Sequence, residues 1–352
     1  MNKQLSLNLT LESESNNLSP KNFSSSTLYD RVIDFENLLK AYGKARLGRR
    51  NKKYVLDWEF NLEKYLISLE KELQEEKYTP GAYHYFWVCD PKKRLVATAP
   101  FKDRIVHHAV YNVIEPIFDK SFIYDTYACR KGKGLHTAVE RLQQFLRKKD
   151  AKYALNGDVE KYFDSINHRI LEKLLREKIK DEKLMRLLVK IIRSEKLVKG
   201  IPIGNLTSQL FAGIYLSKLD HFIKRGLQAK YYLRYMDDFL ILAPEKPILH
   251  QWREEIRRFL KDRLDLNLKK STGQVFPTHL GVDFVGFVTF STHRLVRKVS
   301  LRRFWAKAKK GNLSPESINS YGAHFDWADS FRLKEQLAKL YNIDWERKIQ
   351  NV

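Results

Sequence analysis

The sequence predicts an α+β fold in which acid-bearing strands alternate with long helical stretches. Three observations lead there. Leu233-Arg234-Tyr235-Met236-Asp237-Asp238-Phe239-Leu240-Ile241-Leu242 is an apolar, β-favouring run interrupted by two adjacent carboxylates, and reads as two strands joined by a tight turn at the acids. Upstream, the apolar run Tyr153-Ala154-Leu155 leads into a second acidic stretch, Asn156-Gly157-Asp158-Val159-Glu160-Lys161-Tyr162-Phe163-Asp164. Around these runs apolar residues recur at helical spacing, in Ile170 to Glu195 and Trp252 to Leu264 among others.

Taken in order, residues 1–27 carry two Lys against two Glu without sustained periodicity and are read as a flexible tail. Helical patterning runs from Leu28 to Lys77, broken by a basic run from Lys44 to Lys53. Alternation at Tyr83, Tyr85 and Trp87 predicts a hairpin turned at Asp90-Pro91-Lys92. Pro100 then opens a helix expected to reach about Phe118. Its pair His107-His108 is read as structural, since adjacent helical residues face different directions and no ligand-spaced acid or cysteine accompanies them. Tyr127 to His136 holds two glycines among cations, a loop that lets backbone approach phosphate, but it lacks the full P-loop pattern. Lys199-Gly200-Ile201-Pro202-Ile203-Gly204 leads into a helix to about Lys224. After Trp252–Leu264, Leu266 to Thr272 is a strand or turn and Val282 to Val288 an apolar hairpin. From Arg294 to Lys310 eight Lys/Arg occur without an acid, and the chain ends in helical segments punctuated by Gly311, Pro315 and Gly322.

Charge narrows the partners. The formal net charge is +23, from 65 Lys+Arg against 42 Asp+Glu, and 18 Tyr, 20 Phe and 6 Trp accompany it. Cations with abundant aromatics favour a polyanion held by phosphate contacts and base stacking, nucleic acid before an anionic membrane. No run of ~18 apolar residues and no secretory signal is visible, so a cytoplasmic protein without a membrane partner is expected. The two cysteines, Cys89 and Cys129, are too few for a disulfide framework or a zinc site and are expected to be packing residues in a reducing compartment.

Two adjacent aspartates in a turn also suit an ordinary solvated loop tip. The second acidic strand adds another reading: carboxylates from two strands can hold a Mg²⁺ pair that clamps an in-line phosphoryl displacement. Arg94, Lys102 and Arg104, on the hairpin and the first turn of the following helix, would then offer cations to a triphosphate.

Read together, these stretches resemble the reverse transcriptases. Asp158 to Asp164 is similar to their first palm motif, Tyr235-Met236-Asp237-Asp238 to the metal-binding hairpin, Leu268 to Thr272 to the next motif, and Phe284 to Phe287 to the primer grip. The resemblance implies a right-hand polymerase fold: residues 28–150 form the fingers with the start of the palm, 151–290 the palm with fingers partly interleaved, and 291–352 a small helical thumb. Within that family, Ile201-Pro202-Ile203-Gly204-Asn205-Leu206-Thr207-Ser208-Gln209 resembles the form found in reverse transcriptases of diversity-generating retroelements. Pro100 to His108, Arg130-Lys131-Gly132-Lys133-Gly134 and Thr292 to Leu295 resemble that subfamily too.

The resemblance implies an RNA-directed DNA polymerase that makes cDNA, error-prone at template adenines, from a retroelement template RNA with a cDNA or RNA primer and a small basic accessory protein. Asp158 and Asp237 would ligate two Mg²⁺ ions, for which Mn²⁺ can substitute, with Val159 lending its carbonyl and Asp238 adding charge. Phe163 would be the steric gate against a ribose 2′-hydroxyl. Arg94, Lys102 and Arg104 would grip the triphosphate, and Ile203-Gly204 would face the nucleotide, with Ile203 standing where many relatives carry a glutamine that braces the template. Lys269 or Lys270 would be the proton donor to pyrophosphate, although Ser271 interrupts the usual Lys-Thr. In the thumb, Arg297, Lys298, Arg302 and Arg303 would contact nucleic acid. Alternatives are a defence-associated or group II-like reverse transcriptase, or an RNA-binding, maturase-like protein with an inactive palm.

Overall fold

The computed structural model of the chain describes residues 26–89, 93–195, 198–341, 343 and 345. The expected tail therefore lies almost wholly outside the described residues, as does the hairpin turn at Asp90-Pro91-Lys92. Helices α1 (Leu28–Ile33), α2 (Phe35–Ala45), α3 (Lys53–Phe60) and α4 (Leu62–Gln74) come first. Thr27 and Asp30 form a reciprocal capping box on α1, and the Asp34 carboxylate caps α2. Strands β1 (His84–Val88) and β2 (Arg94–Thr98) form the expected hairpin, with Val88 opposite Arg94. Then follow α5 (Phe101–Asp119) and α6 (Leu135–Leu146), the strand β3 (Tyr153–Gly157), and α7 (Tyr162–Ser165), α8 (His168–Arg176), α9 (Glu182–Ile192) and α10 (Leu206–His221). A π-helical turn, Phe222–Gly226, links α10 to β4 (Tyr231–Tyr235), β5 (Asp238–Ala243) and α11 (Lys246–Leu264). The remainder is β6 (Val275–Pro277), β7 (Val282–Phe284), β8 (Phe287–Thr289), β9 (Arg294–Val296), α12 (Lys298–Lys309), α13 (Pro315–Phe325) and α14 (Phe331–Tyr341).

Several expectations need correcting. The stretch Ile170 to Glu195 is two helices, because the Asp181 carboxylate caps the backbone of Leu184 and starts α9 afresh. Helix α11 begins at Lys246, well before Trp252, with a proline in its first turn. Gly322 does not punctuate the C-terminal helices; it is buried inside α13. The apolar hairpin gains a third strand, since β9 pairs with β8. Cys89 and Cys129 are both exposed and pack no core.

The central sheet has the strand order β4-β5-β3-β6, and every neighbouring pair is antiparallel. It is buried on both faces. Phe239, Ile241 and Ala243 face one core with Leu155, Tyr232 and apolar residues of α5, α8 and α10, while Leu240 and Leu242 face a second with Leu142 and Phe145 of α6. Double burial explains why β5 is a continuous apolar run rather than an alternating one. Each such side chain withdrawn from water stabilises the fold by roughly 1.5–3 kcal/mol. A third core of Val296, Phe304, Phe325 and Leu337 gathers α12 to α14 around β9. No helix of the described residues is long and apolar enough to cross a membrane.

Candidate active site

Strand register brings the acids together. β3 and β5 run antiparallel with Gly157 opposite Phe239, and β4 and β5 with Tyr235 opposite Asp238, so Met236 and Asp237 form a two-residue turn. Asp158, one residue beyond β3, thus comes level with Asp238 and beside that turn. Leu266 to Thr272 holds it there: Lys269 N donates to the Asp158 carbonyl (2.9 Å), Asp158 N to Thr272 Oγ1 (3.2 Å) and Glu160 N to the Asn267 carbonyl (2.9 Å), and Val159 bridges to Leu268.

The acids border a cavity of about 680 Å³. Of the residues singled out from the sequence, Arg94, Asp158, Val159, Phe163, Ile203, Asp237, Asp238, Lys269 and Arg297 line it. Phe284 and Val285 of the expected primer grip line it as well, and so does Lys93, which was not anticipated. Lys102 and Arg104 lie outside this lining. The Lys102 ammonium pairs with Glu72 (3.0 Å), and Arg104 stacks over Tyr54 and Phe101 while donating to the Ala99 carbonyl. Lys270, Lys298 and Arg302 are exposed away from the cavity and Arg303 is half-buried. The run Arg130 to Gly134 contributes structurally, with Arg130 paired to Asp119 and donating to the carbonyls of Ile123 and Thr126.

One loop, Gly200 to Gly204, contributes Ile203 to the cavity wall. Ile201 N donates to the Phe163 carbonyl (2.9 Å) and Gly200 N to the Ile166 carbonyl (2.8 Å), docking the Gly-Ile-Pro-Ile-Gly loop on α7. Ala97 N donates to the Ile203 carbonyl (2.8 Å), which fastens the same loop to β2. Gly204 has φ +122°, and a Cβ there would sit 2.5 Å from the Ala97 carbonyl oxygen, so this close approach requires glycine. Gly204 itself lies behind the cavity wall rather than in it.

Negative charge dominates the floor. Asp237 is held up at about 6, first by burial and then by the Asp158 charge, with Arg94 opposing. Asp238 is also held up at about 6; its carboxylate opens on the cavity yet is largely surrounded by protein, and after that desolvation the charges of Asp237 and Asp158 act on it. Lys269 bonds the Asp158 carboxylate directly, and that bond raises the ammonium above its ordinary value. The described residues contain no group of three or more His, Cys, Asp or Glu side chains that could hold a metal ion. What the site offers is an oxygen-only donor set whose carboxylate charge Lys269 and Arg94 offset only in part, which suits a hard divalent ion that completes its shell with water and phosphate.

Beneath the turn, Arg234 and Asp220 form a buried ion pair that sequence reading overlooked. An arginine inside an apolar strand was its signal, because a guanidinium there needs a carboxylate partner.

A family model described as reverse transcriptase (RNA-dependent DNA polymerase) matches residues 90–289. Protein YkfC of Escherichia coli (strain K12) is 26% identical over 284 residues, 66% of this chain and 73% of YkfC. The group II intron-encoded protein LtrA of Lactococcus lactis subsp. cremoris is 27% identical over 164 residues, 44% of this chain and 27% of LtrA. A solved structure of telomerase from Candida albicans with a fragment of telomeric RNA aligns with TM-score 0.45 and 14% identity, covering 69% of this chain and 50% of that one.

Proposed function

We propose that this chain, which belongs to the reverse transcriptase (RNA-dependent DNA polymerase) family, copies a retroelement template RNA into cDNA by two-metal nucleotidyl transfer. The observation that carries this reading is the meeting of Asp158, Asp237 and Asp238 with Arg94 and Phe163 around one cavity. A pair of Mg²⁺ ions on Asp158, Asp237 and the Val159 carbonyl would make the primer 3′-hydroxyl more acidic and neutralise charge on the leaving pyrophosphate. Arg94 and Lys93 would hold the triphosphate from the hairpin side. The Lys269 ammonium, beside Asp158, would give a proton to pyrophosphate. Phe163 would press its ring against the sugar and reject a ribose 2′-hydroxyl.

Ile203 carries the finer reading, a polymerase of a diversity-generating retroelement. An isoleucine facing the cavity offers no hydrogen bond to template or nucleotide. A site that discriminates by differential transition-state binding then loses a polar check, which favours misincorporation; its direction to template adenines is what the resemblance to diversity-generating retroelements implies. A structured template RNA and a small basic accessory protein belong to this reading, and the +23 charge suits the RNA.

Similarity to an intron-encoded protein favours a second reading, a group II-like reverse transcriptase or maturase-like RNA-binding protein. Primer extension on RNA with Mg²⁺, wild type against Asp237→Ala with sequenced products, separates them. Synthesis that the variant loses, with errors concentrated opposite adenine, supports the proposed reading. Faithful cDNA moves the assignment to the group II-like enzyme, and metal-independent RNA binding without synthesis moves it to the maturase-like protein.

A further inference from the structure

Met236, first residue of the turn that carries Asp237, has φ +55°. An L-residue with a side chain of this size occupies that left-handed region reluctantly, so something must hold the turn. The Arg234 guanidinium does so from below. It forks onto Asp220 through Nε to Oδ1 (2.7 Å) and Nη2 to Oδ2 (2.6 Å), and Nη1 donates to the Met236 carbonyl (2.7 Å). That carbonyl belongs to the peptide joining Met236 to Asp237, so its orientation sets where the Asp237 carboxylate points. Asp220 is itself saturated, accepting from Tyr232 Oη (2.6 Å) and Thr126 Oγ1 (3.3 Å) as well. Both side chains are almost completely shielded from water, at 1% and 0% exposure. Helix α10 carries Asp220, and the backbone of Arg234 is fastened on both sides, its N–H donating to the Asp125 carbonyl and its carbonyl accepting from Tyr127. A chain of rigid contacts thus runs from α10 through Asp220 and Arg234 to the Met236–Asp237 peptide.

From this geometry we infer that Arg234 is a positioning residue which, oriented by Asp220, fixes the Met236–Asp237 peptide so that Asp237 faces the ion-binding side of the cavity. The inference rests on the polymerase reading for its consequence, but its geometric content is independent of catalysis. A buried ion pair alone is weak grounds for stability, since well-packed apolar residues replace such pairs without loss, whereas removing one partner strands a charge. The carbonyl bond is what apolar replacements cannot reproduce. Lysine in place of Arg234 keeps the charge but lacks the planar fork that reaches Asp220 and Met236 together.

The test uses the full-length chain as wild type, Arg234→Met/Asp220→Leu, and Arg234→Lys. Three quantities are measured: the melting temperature, Mn²⁺ affinity by electron paramagnetic resonance without nucleotide, and single-nucleotide addition resolved into kcat and KM. The double variant strips buried Tyr232 Oη and Thr126 Oγ1 of their acceptor and is expected to melt several degrees below wild type. Where folded, it is expected to bind Mn²⁺ about 10-fold more weakly and lose about 10²-fold in kcat with KM for deoxynucleotide little changed, the size expected of an ångström-scale misplacement. Arg234→Lys is expected to show the same direction and decides the matter if the double variant does not fold. Wild-type Mn²⁺ affinity and kcat in a folded variant overturn the positioning role. Absence of nucleotide addition by the wild type refutes the polymerase reading instead, and Mn²⁺ affinities still decide the clamp.

Discussion

Gly157 is the residue on which the spacing of the two acid-bearing strands turns. Built onto its backbone, a Cβ would lie 2.1 Å from Phe239 Cζ and 2.5 and 2.6 Å from the two Cε atoms. The nearest contact is at least ~1.3 Å shorter than ordinary carbon separation. Rotating the ring brings no relief, because Cζ lies on the rotation axis, and Phe239 is 1% exposed with a full shell of neighbours. Gly157→Ala therefore forces β3 and β5 apart where Asp158 and Asp238 leave them. Overpacking of this kind costs about 1–3 kcal/mol, which for a chain of this size lowers the melting temperature by roughly 1–4 °C. A shift of ~1 Å at the acids is expected to reduce nucleotide addition by about 10²-fold. Phe239→Leu removes the offending ring, so the double variant should recover stability and rate relative to Gly157→Ala, a coupling expected of residues in contact. Thermal unfolding and single-turnover primer extension measure both. Gly157→Ala that melts and extends like wild type, or a double variant no better than its worse parent, would refute the reasoning.

Three further outcomes follow from the site and its surroundings. Phe163→Val opens space at the sugar and is expected to raise ribonucleotide incorporation at least 10-fold relative to deoxynucleotide; unchanged discrimination removes Phe163 from the gate. Ile203→Gln is expected to lower misincorporation opposite template adenine several-fold, and an unchanged error spectrum in sequenced cDNA contradicts its assigned part. His107 is wholly buried with neither ring nitrogen bonded, and burial, then the neighbouring His108, pushes it down to about 3. Because the folded value lies below the unfolded one near 6.5, neutral His107 supports stability above pH 6.5, and that support is lost as pH falls toward 3. His107→Leu should flatten the decline of unfolding free energy between pH 6 and 4 by about 1.4 kcal/mol per pH unit, one proton's share. A slope unchanged in urea titrations would show that His107 does not titrate as its burial requires.

Much of the fold was legible where local chemistry and the global structure agree. The β4–β5 hairpin, β3 and α5 all show strong period or punctuation, and the acids at their ends advertise chemistry because nothing in packing calls for them there. What escaped depends on partners distant in sequence. Nothing near Lys102 foretells Glu72, and nothing near Arg104 foretells Tyr54, yet those contacts decide which way two long side chains point. Lys269 and Lys270 could not be separated by pattern, and the structure separates them through the backbone bridge of Leu268 to Val159, which sends Lys269 to Asp158 and leaves Lys270 in solvent. The pairing of β9 with β8 was missed because three residues, Arg294, Leu295 and Val296, in a basic-rich context are too short a run to give a strand signal without their partner. The buried Arg234 was visible as an anomaly in an apolar run, but its partner Asp220 sits on another element and only the fold supplies it.

The account stands on Asp158 and Asp237 acting together on a divalent ion. Single-turnover addition of a deoxynucleotide to a primed RNA template, titrated with Mg²⁺ for wild type, Asp158→Asn and Asp237→Asn, tests that most directly. The prediction is Mg²⁺-dependent addition by the wild type and a loss of about 10³-fold or more in each variant with folding intact. Addition at the wild-type rate by either folded variant, or none by the wild type at any Mg²⁺ concentration, would contradict it.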